Sequence, residues 1–188
     1  MSQDKITLLG HALLGLLAQR PASGYDVRKT FSHTPMGAYS DSPGAIYPAL
    51  GRLERGGLIR GTIEKSSGMR RRKVFRLTPE GKAAFERWLR LPVRREDVVH
   101  GRDELMLRFS FMELTLGAKA ARRFLEEFAG ALESYIPELR EYLVVHAGEM
   151  PPSGRLALES GVRSYETLLG WTQDAVETYR KGRKGRTS

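Results

Sequence analysis

The chain has 188 residues, carries 31 Lys and Arg against 22 Asp and Glu for a formal charge of +9, and contains no cysteine. That length suits one or two small domains with a real core, and 40% hydrophobic with 28% charged residues excludes both a disordered polyelectrolyte and a membrane protein. Lack of cysteine removes disulfides, thiolate metal sites and cysteine nucleophiles, while the excess of cations asks for an anionic partner.

At the N-terminus Lys5 precedes the apolar run Ile6–Ala18, a superficial likeness to a secretory leader. Asp4 ahead of the run, His11 inside it and Arg20 behind it argue against one. The run is also shorter than the roughly 18 apolar residues that a membrane span needs. Ile6, Leu9, Leu13, Leu16 and Leu17 recur at helical spacing and predict a first helix ending before Arg20-Pro21. Ser23-Gly24 opens a short second helix through Tyr25, Val27, Arg28 and Phe31, which Ser32–Pro35 stops, and a loop follows through Gly37 and Tyr39.

Ser42-Pro43 is a strong helix start, because a serine cap accepts from free first-turn amides and proline at the first position has no amide to waste. Ile46, Leu50 and Leu53 then line one face of a third helix, and Gly56-Gly57, which tolerate positive φ, end it. Pro48 is discordant: it cannot bond back to the Gly44 carbonyl and disfavours helical geometry at Tyr47, which predicts a distorted first turn. Leu58–Lys65 alternates as a strand with Ile59 and Ile63 inward and Arg60, Thr62 and Glu64 outward. Ser66-Ser67-Gly68 turns the chain, and Lys73–Leu77 returns with Phe75 and Leu77 inward, completing a hairpin. Thr78-Pro79-Glu80 repeats the cap signal, and Ala83, Ala84, Trp88 and Leu89 give a fourth helix its apolar side.

Further on, Leu105, Phe109, Met112 and Leu116 form one stripe. Ala121, Phe124, Phe128, Leu132, Tyr135, Leu139 and Leu143 mark a longer helix that Pro137 should bend. After the break at Pro151–Gly154, a last helix carries Leu158, Val162, Tyr165, Leu169, Thr172, Val176 and Tyr179. Such stripes belong either to an intrachain core or to an antiparallel bundle completed by a second chain. The fold predicted is mainly α: a winged helix-turn-helix of three helices, a β-hairpin wing and a fourth helix, followed by an α-helical dimerisation domain. Its boundaries are 1–90, 91–180 and a disordered basic tail at 181–188.

Charge separates along the same line. Residues 1–90 hold 16 Lys and Arg against seven acids, whereas residues 91–188 hold 15 of each. The densest run, Arg70-Arg71-Arg72-Lys73, sits at the hairpin tip with Lys65 on the other arm, and the adjacent stretch offers only Glu64 as an acid. At the wing of a helix-turn-helix, those cations become candidate phosphate contacts, which fix position and make affinity salt-dependent. Gly44, Ala45, Tyr47 and Ala49, near the start of the third helix, are candidate base readers. Ser42 serves as cap and phosphate donor, and Arg52 as a backbone contact.

These residues resemble the PadR family of bacterial transcriptional regulators, whose founding members repress phenolic-acid decarboxylase genes. The resemblance lies in Leu14-Gly15-Leu16-Leu17, Pro21 and Gly24-Tyr25-Asp26-Val27; in Ser42-Pro43-Gly44-Ala45-Ile46-Tyr47-Pro48-Ala49-Leu50 with Arg52-Leu53-Glu54 and Gly57-Leu58-Ile59; and in Arg71-Arg72-Lys73-Val74-Phe75-Arg76-Leu77-Thr78 with Gly81. It implies a homodimeric repressor of double-stranded palindromic operator DNA, acting in the bacterial cytoplasm on the nucleoid and released by a small aromatic or apolar effector. It accounts for Pro48 as part of a family pattern and adds Tyr25 and Lys29 as DNA contacts. Phe75 departs from the tyrosine frequent in the family. Arg102-Asp103-Glu104-Leu105 and Trp171 resemble an extended subfamily related to virulence-gene activators, which leaves an activator of the same fold as an alternative.

Trp88, Phe109, Tyr165 and Trp171 are the aromatics available to line an effector pocket, though each more often serves a core. His11, His33, His100 and His146 are scattered, and neither a phosphate-loop, HExxH nor Gly-x-Ser-x-Gly motif occurs, so no enzyme, metal site or cofactor is expected. A nonspecific nucleic-acid-coating protein explains the charge equally well but not the capping pattern or the block at residues 42–50.

Overall fold

The computed structural model describes residues 6–39, 42–65 and 71–181; the expectations placed on Ser66–Arg70 and on the tail from residue 182 lie outside them. Two compact units divide the chain, Met1–Arg90 and Leu91–Ser188. In the first, helix α1 (Leu8–Gln19) leads to strand β1 (Ala22–Ser23), α2 (Gly24–His33), a single 3-10 turn (Pro35–Ala38) and α3 (Pro43–Arg55). Strands β2 (Ile59–Lys65) and β3 (Arg71–Leu77) and helix α4 (Pro79–Leu89) complete it.

Every α-helix of this unit begins on a hydroxyl cap. Thr7 Oγ1 accepts from the Gly10 amide at 3.1 Å, Ser23 Oγ from Asp26 at 3.2 Å, Ser42 Oγ from Gly44 at 3.2 Å and Thr78 Oγ1 from Gly81 at 3.0 Å. Each such bond satisfies a donor that the helix leaves open, worth about 1 kcal/mol. Helix α3 runs unbroken through Pro48, and in its first turn the Ser42 carbonyl accepts from both the Ala45 and the Ile46 amides at 3.1 Å. Gly44 and Pro48 both face solvent, so the carbonyl that proline leaves without a partner meets water. At its end, positive φ falls on Gly57 (72°) alone, whereas Gly56 is at −76°.

The three-stranded antiparallel sheet has the order β1-β3-β2. Strand β1 carries no alternation because it is two residues long; Ala22 and Ser23 pair with Phe75 and Val74 of β3. The hairpin register places Ile59 opposite Leu77 and Ile63 opposite Lys73. Ile63 has the expected parity yet is 71% exposed, because the hairpin runs on beyond the helices that would cover it. Leu77 is only half-buried, while Val74 and Phe75 are both buried on the central strand.

The core gathers Ala12, Leu13, Leu14, Leu17, Val27, Phe31, Ile46, Ala49, Leu50, Leu53, Phe85 and Leu89. Helix α1 is buried more widely than a stripe, since α3, α4 and β3 all pack on it. On α4, Phe85 takes the place expected of Ala83, which is exposed. Trp88 stacks on His11 with ring centroids 4.1 Å apart and planes 8° from parallel.

Among the described residues the second unit has four helices: α5 (Arg95–His100), α6 (Arg102–Leu116), α7 (Ala118–His146) and α8 (Pro152–Lys181). Lys181, expected in the tail, closes α8. Helix α5 is too short to show periodicity; Asp97 Oδ2 accepts from the Arg94 amide at 2.8 Å at its start. A single residue, Gly117 at φ 87°, turns α6 into α7. Helix α7 packs along both α6 and α8, so Leu105, Met112, Phe124, Phe128, Leu132, Val162, Thr172 and Val176 are buried within one chain. Arg108 is buried with them: its guanidinium donates to the Leu91 carbonyl and lies 4.9 Å above the Phe124 ring. Phe109 packs against Phe124, Trp171 and Tyr179, so two of the aromatics suggested for a pocket meet each other. No helix among the described residues is long and apolar enough to cross a membrane.

Burial holds the His11 imidazole at a pKa of about 4, well below 6.5, with a hydrogen bond to the Thr7 backbone acting in the opposite sense. An unfolded chain therefore takes up this proton before the folded one, and the stability fully present above pH 6.5 declines as pH falls towards 4. Urea denaturation should show a loss of roughly 3 kcal/mol from this site between pH 7 and pH 4. His11→Phe, which keeps a ring on Trp88 and cannot titrate, should lack that component.

Candidate nucleic-acid interface

Ser42 and Gly44 are exposed at the start of α3, and Ala45 is half-buried. At 100° per residue, Ile46, Ala49, Leu50 and Leu53 turn to the core. Ala49 is 2% exposed, which removes it from the surface and corrects its selection as a base reader. Tyr47 is 49% exposed, and its ring rests on the start of α2: a Cβ at Gly24 would fall 2.5 Å from Tyr47 Cε1. The side chain thus packs on one face and is open on the other. Arg52 lies exposed towards the end of the same helix.

Helix α2 brings Tyr25, 60% exposed, and Lys29, also exposed. The Arg28 guanidinium lies 5.9 Å from the centre of the Tyr25 ring. Below them is a reciprocal cap. Asp26 Oδ2 accepts from the Ser23 amide at 3.1 Å and from the Ser23 hydroxyl at 2.7 Å, while the Asp26 amide donates to Ser23 Oγ. Hydrogen bonding from Ser23, with Arg72 and Arg20 nearby, holds the Asp26 carboxyl below the usual carboxylate range.

On the wing, Arg71, Arg72 and Lys73 are all exposed on β3. Glu64 is the one acid of the adjacent stretch, and the tertiary structure brings two more from distant segments. Glu64 pairs with Arg76 at 2.9 Å, Lys73 reaches Glu54 of α3 at 2.7 Å, and Arg72 approaches Asp26 of α2 at 3.7 Å. Exposed pairs of this kind contribute about 0 to 1 kcal/mol, so an incoming phosphate competes readily for Arg72. Lys65 lies on β2, but its side chain, like Arg70 as a whole, falls outside the described residues.

Asp26 and Glu54 stand in the blocks that carry the resemblance, but spacing alone does not pair them with Arg72 and Lys73, because each meets its cation only once the chain has folded back. Gly24 reads in the sequence as a helix start and as part of a resemblance block; that its missing side chain makes room for Tyr47 needs the fold.

Residues 13–87 match the model of the family described as "Transcriptional regulator PadR-like family". That segment of the chain is similar to the PadR-like family. The match covers most of the first unit and none of the second. "Negative transcriptional regulator PadR" of Bacillus subtilis is 30% identical over 123 residues, which are 64% of this chain and 65% of the relative. "Probable transcriptional regulator Rv1176c" of Mycobacterium tuberculosis is 27% identical over 85 residues, 45% of each protein. The chain thus spans just under two thirds of the first relative and less than half of the second. Among solved structures, Bacillus subtilis PadR in complex with operator DNA is 22% identical with a TM-score of 0.42, covering 92% of this chain and 99% of that one. The PadR-like regulator BC1756 from Bacillus cereus is 25% identical with a TM-score of 0.40 and the same coverage.

Asp26→Ala should lower stability by about 1 to 2 kcal/mol in thermal or urea denaturation, since it opens the cap of α2. Because the folded carboxyl titrates below its ordinary range, the difference from wild type should be full at neutral pH and shrink as acid protonates Asp26.

Proposed function

We propose that this protein is a dimeric, sequence-specific regulator of transcription that binds double-stranded DNA through α3 and the wing. One observation carries the reading: the exposed start of α3 stands beside the start of α2 through the Tyr47–Gly24 contact, in the half of the chain that holds the whole net charge of +9. Helix N-termini attract phosphate, and the exposed Ser42 and Gly44 leave this one open to close approach. Ala45 and Tyr47 are the base readers in this reading. Tyr25, Lys29, Arg52, Arg71 and Arg72 contact the phosphate backbone, with Lys65 and Arg70 extending the wing's contribution.

The finer reading is a repressor on a palindromic operator, released by a small aromatic or apolar ligand. The similarity of residues 13–87 to the PadR-like family supports the regulatory role, and the relative called a negative regulator supports repression. Two-fold operators need two recognition helices roughly 34 Å apart. Tyr142, Val144, Val145 and Leu156, exposed apolar side chains of α7 and α8, support self-association of the second unit.

Fluorescence anisotropy with duplexes selected on the wild-type protein tests the reading. Affinity for the selected palindrome should exceed that for random duplex by about a thousandfold or more at fixed salt; near-equal affinities would instead indicate a coating protein, and no binding at low salt would sink DNA recognition altogether. Arg71→Ala with Arg72→Ala should weaken all duplexes alike and reduce the slope of log affinity against log salt by about two. Tyr47→Phe should alter preference at particular bases or cost affinity if its hydroxyl is used, and a silent result would leave Tyr47 as packing only.

A further inference from the structure

Residues paired directly across an antiparallel ladder share a face, so Lys73, opposite Ile63, lies on the same side of the hairpin as Ile59 and Phe75. On that side Ile59 and Phe75 are buried, and α3 packs on β2. Lys73 turns back towards this base. Its stem crosses Gly61, where a Cβ would fall 2.1 Å from Lys73 Cε and 2.7 Å from Glu54 Oε1. Its ammonium donates to Glu54 Oε2 at 2.7 Å and sits 5.3 Å from the centre of the Phe75 ring. The second oxygen of Glu54 accepts from the Gly61 amide at 3.1 Å, on the edge strand of the sheet. One carboxylate at the end of α3 therefore holds β2 by its backbone and β3 by its cation. The Lys73 bond, followed by the Gly61 amide, keeps the Glu54 carboxyl below the usual range.

We propose that Glu54, Gly61 and Lys73 form a clasp that sets the angle of the wing to α3, and that Lys73 is a positioning residue rather than a phosphate ligand. This rests on the DNA-binding reading above. Arg72, one residue earlier, differs in kind: its acid partner is 3.7 Å away, so it is available to phosphate. Drawing Lys73 onto DNA would break a short charge-assisted bond and leave the Glu54 carboxylate unpaired beside the phosphate backbone.

Three full-length variants test the clasp on a duplex selected by wild type: Lys73→Met, Glu54→Gln and the double substitution. Lys73→Met should weaken binding roughly threefold to tenfold with the salt slope unchanged. Glu54→Gln should also weaken binding, and the double variant should be no weaker than the worse single one. A slope reduced by about one in Lys73→Met, together with tighter binding by Glu54→Gln, would overturn the proposal, since Lys73 would then be a phosphate ligand that Glu54 masks. Amide exchange at Gly61 in the free protein separates this from the functional reading. Faster exchange in Lys73→Met is expected; an unchanged rate overturns the clasp whatever the DNA does, whereas wild type that selects no duplex overturns the functional reading.

Discussion

Strand β3 is bonded on both sides, and the geometry of the first unit is referred to that ladder. On one side it pairs with β2 to make the wing. On the other it pairs with Ala22 and Ser23, the two residues immediately before α2. Ser23 is also the cap of α2, so the start of that helix is held by the sheet and by Asp26 together. Gly24 follows at once and leaves the space that the Tyr47 ring occupies. Wing, second helix and third helix are thereby brought into one frame, with Val74 and Phe75 buried beneath it.

Charge is arranged around this frame by exchangeable contacts. Asp26, Glu54 and Glu64 each approach a cation of β3, but the three contacts differ. Glu64 and Arg76 tie the two strands of the wing to each other. Arg72 is held loosely by a carboxylate already committed to the cap of α2. Lys73 is held closely, across a glycine that has no alternative to being small. A run that reads as four equivalent positive residues thus contains at least two with different environments.

The second unit is built on other terms. Its long helices bury their apolar stripes against one another within a single chain, and Arg108 enters that interior with its charge stacked on Phe124. Burial pushes the Arg108 guanidinium down, opposed by Asp97, Glu104 and Glu127. Without its last five cations this half carries ten bases against 15 acids, a composition suited to staying off a phosphate backbone. The family-model match, confined to residues 13–87, falls within the half that carries the net charge.

Local chemistry was enough to read much of this in the sequence. Ser23, Ser42 and Thr78 announced their helices because capping depends on residues two or three positions apart, and the hairpin's parity followed from alternation alone. Burial was less legible, because it depends on what lies opposite. Ile63 has the parity of a core residue and is exposed; Ala49 looked available and is enclosed; Phe85, Leu107 and Arg108 are buried where the stripes did not place them. Strand β1 and the acids that meet Arg72 and Lys73 could be found only in three dimensions, since two residues make no period and an ion pair between distant segments leaves no trace in spacing. The sequence by itself determined which segments fold and where the positive charge lies; the tertiary structure decided which of those charges are committed, because only packing sets the distance from each cation to its nearest carboxylate.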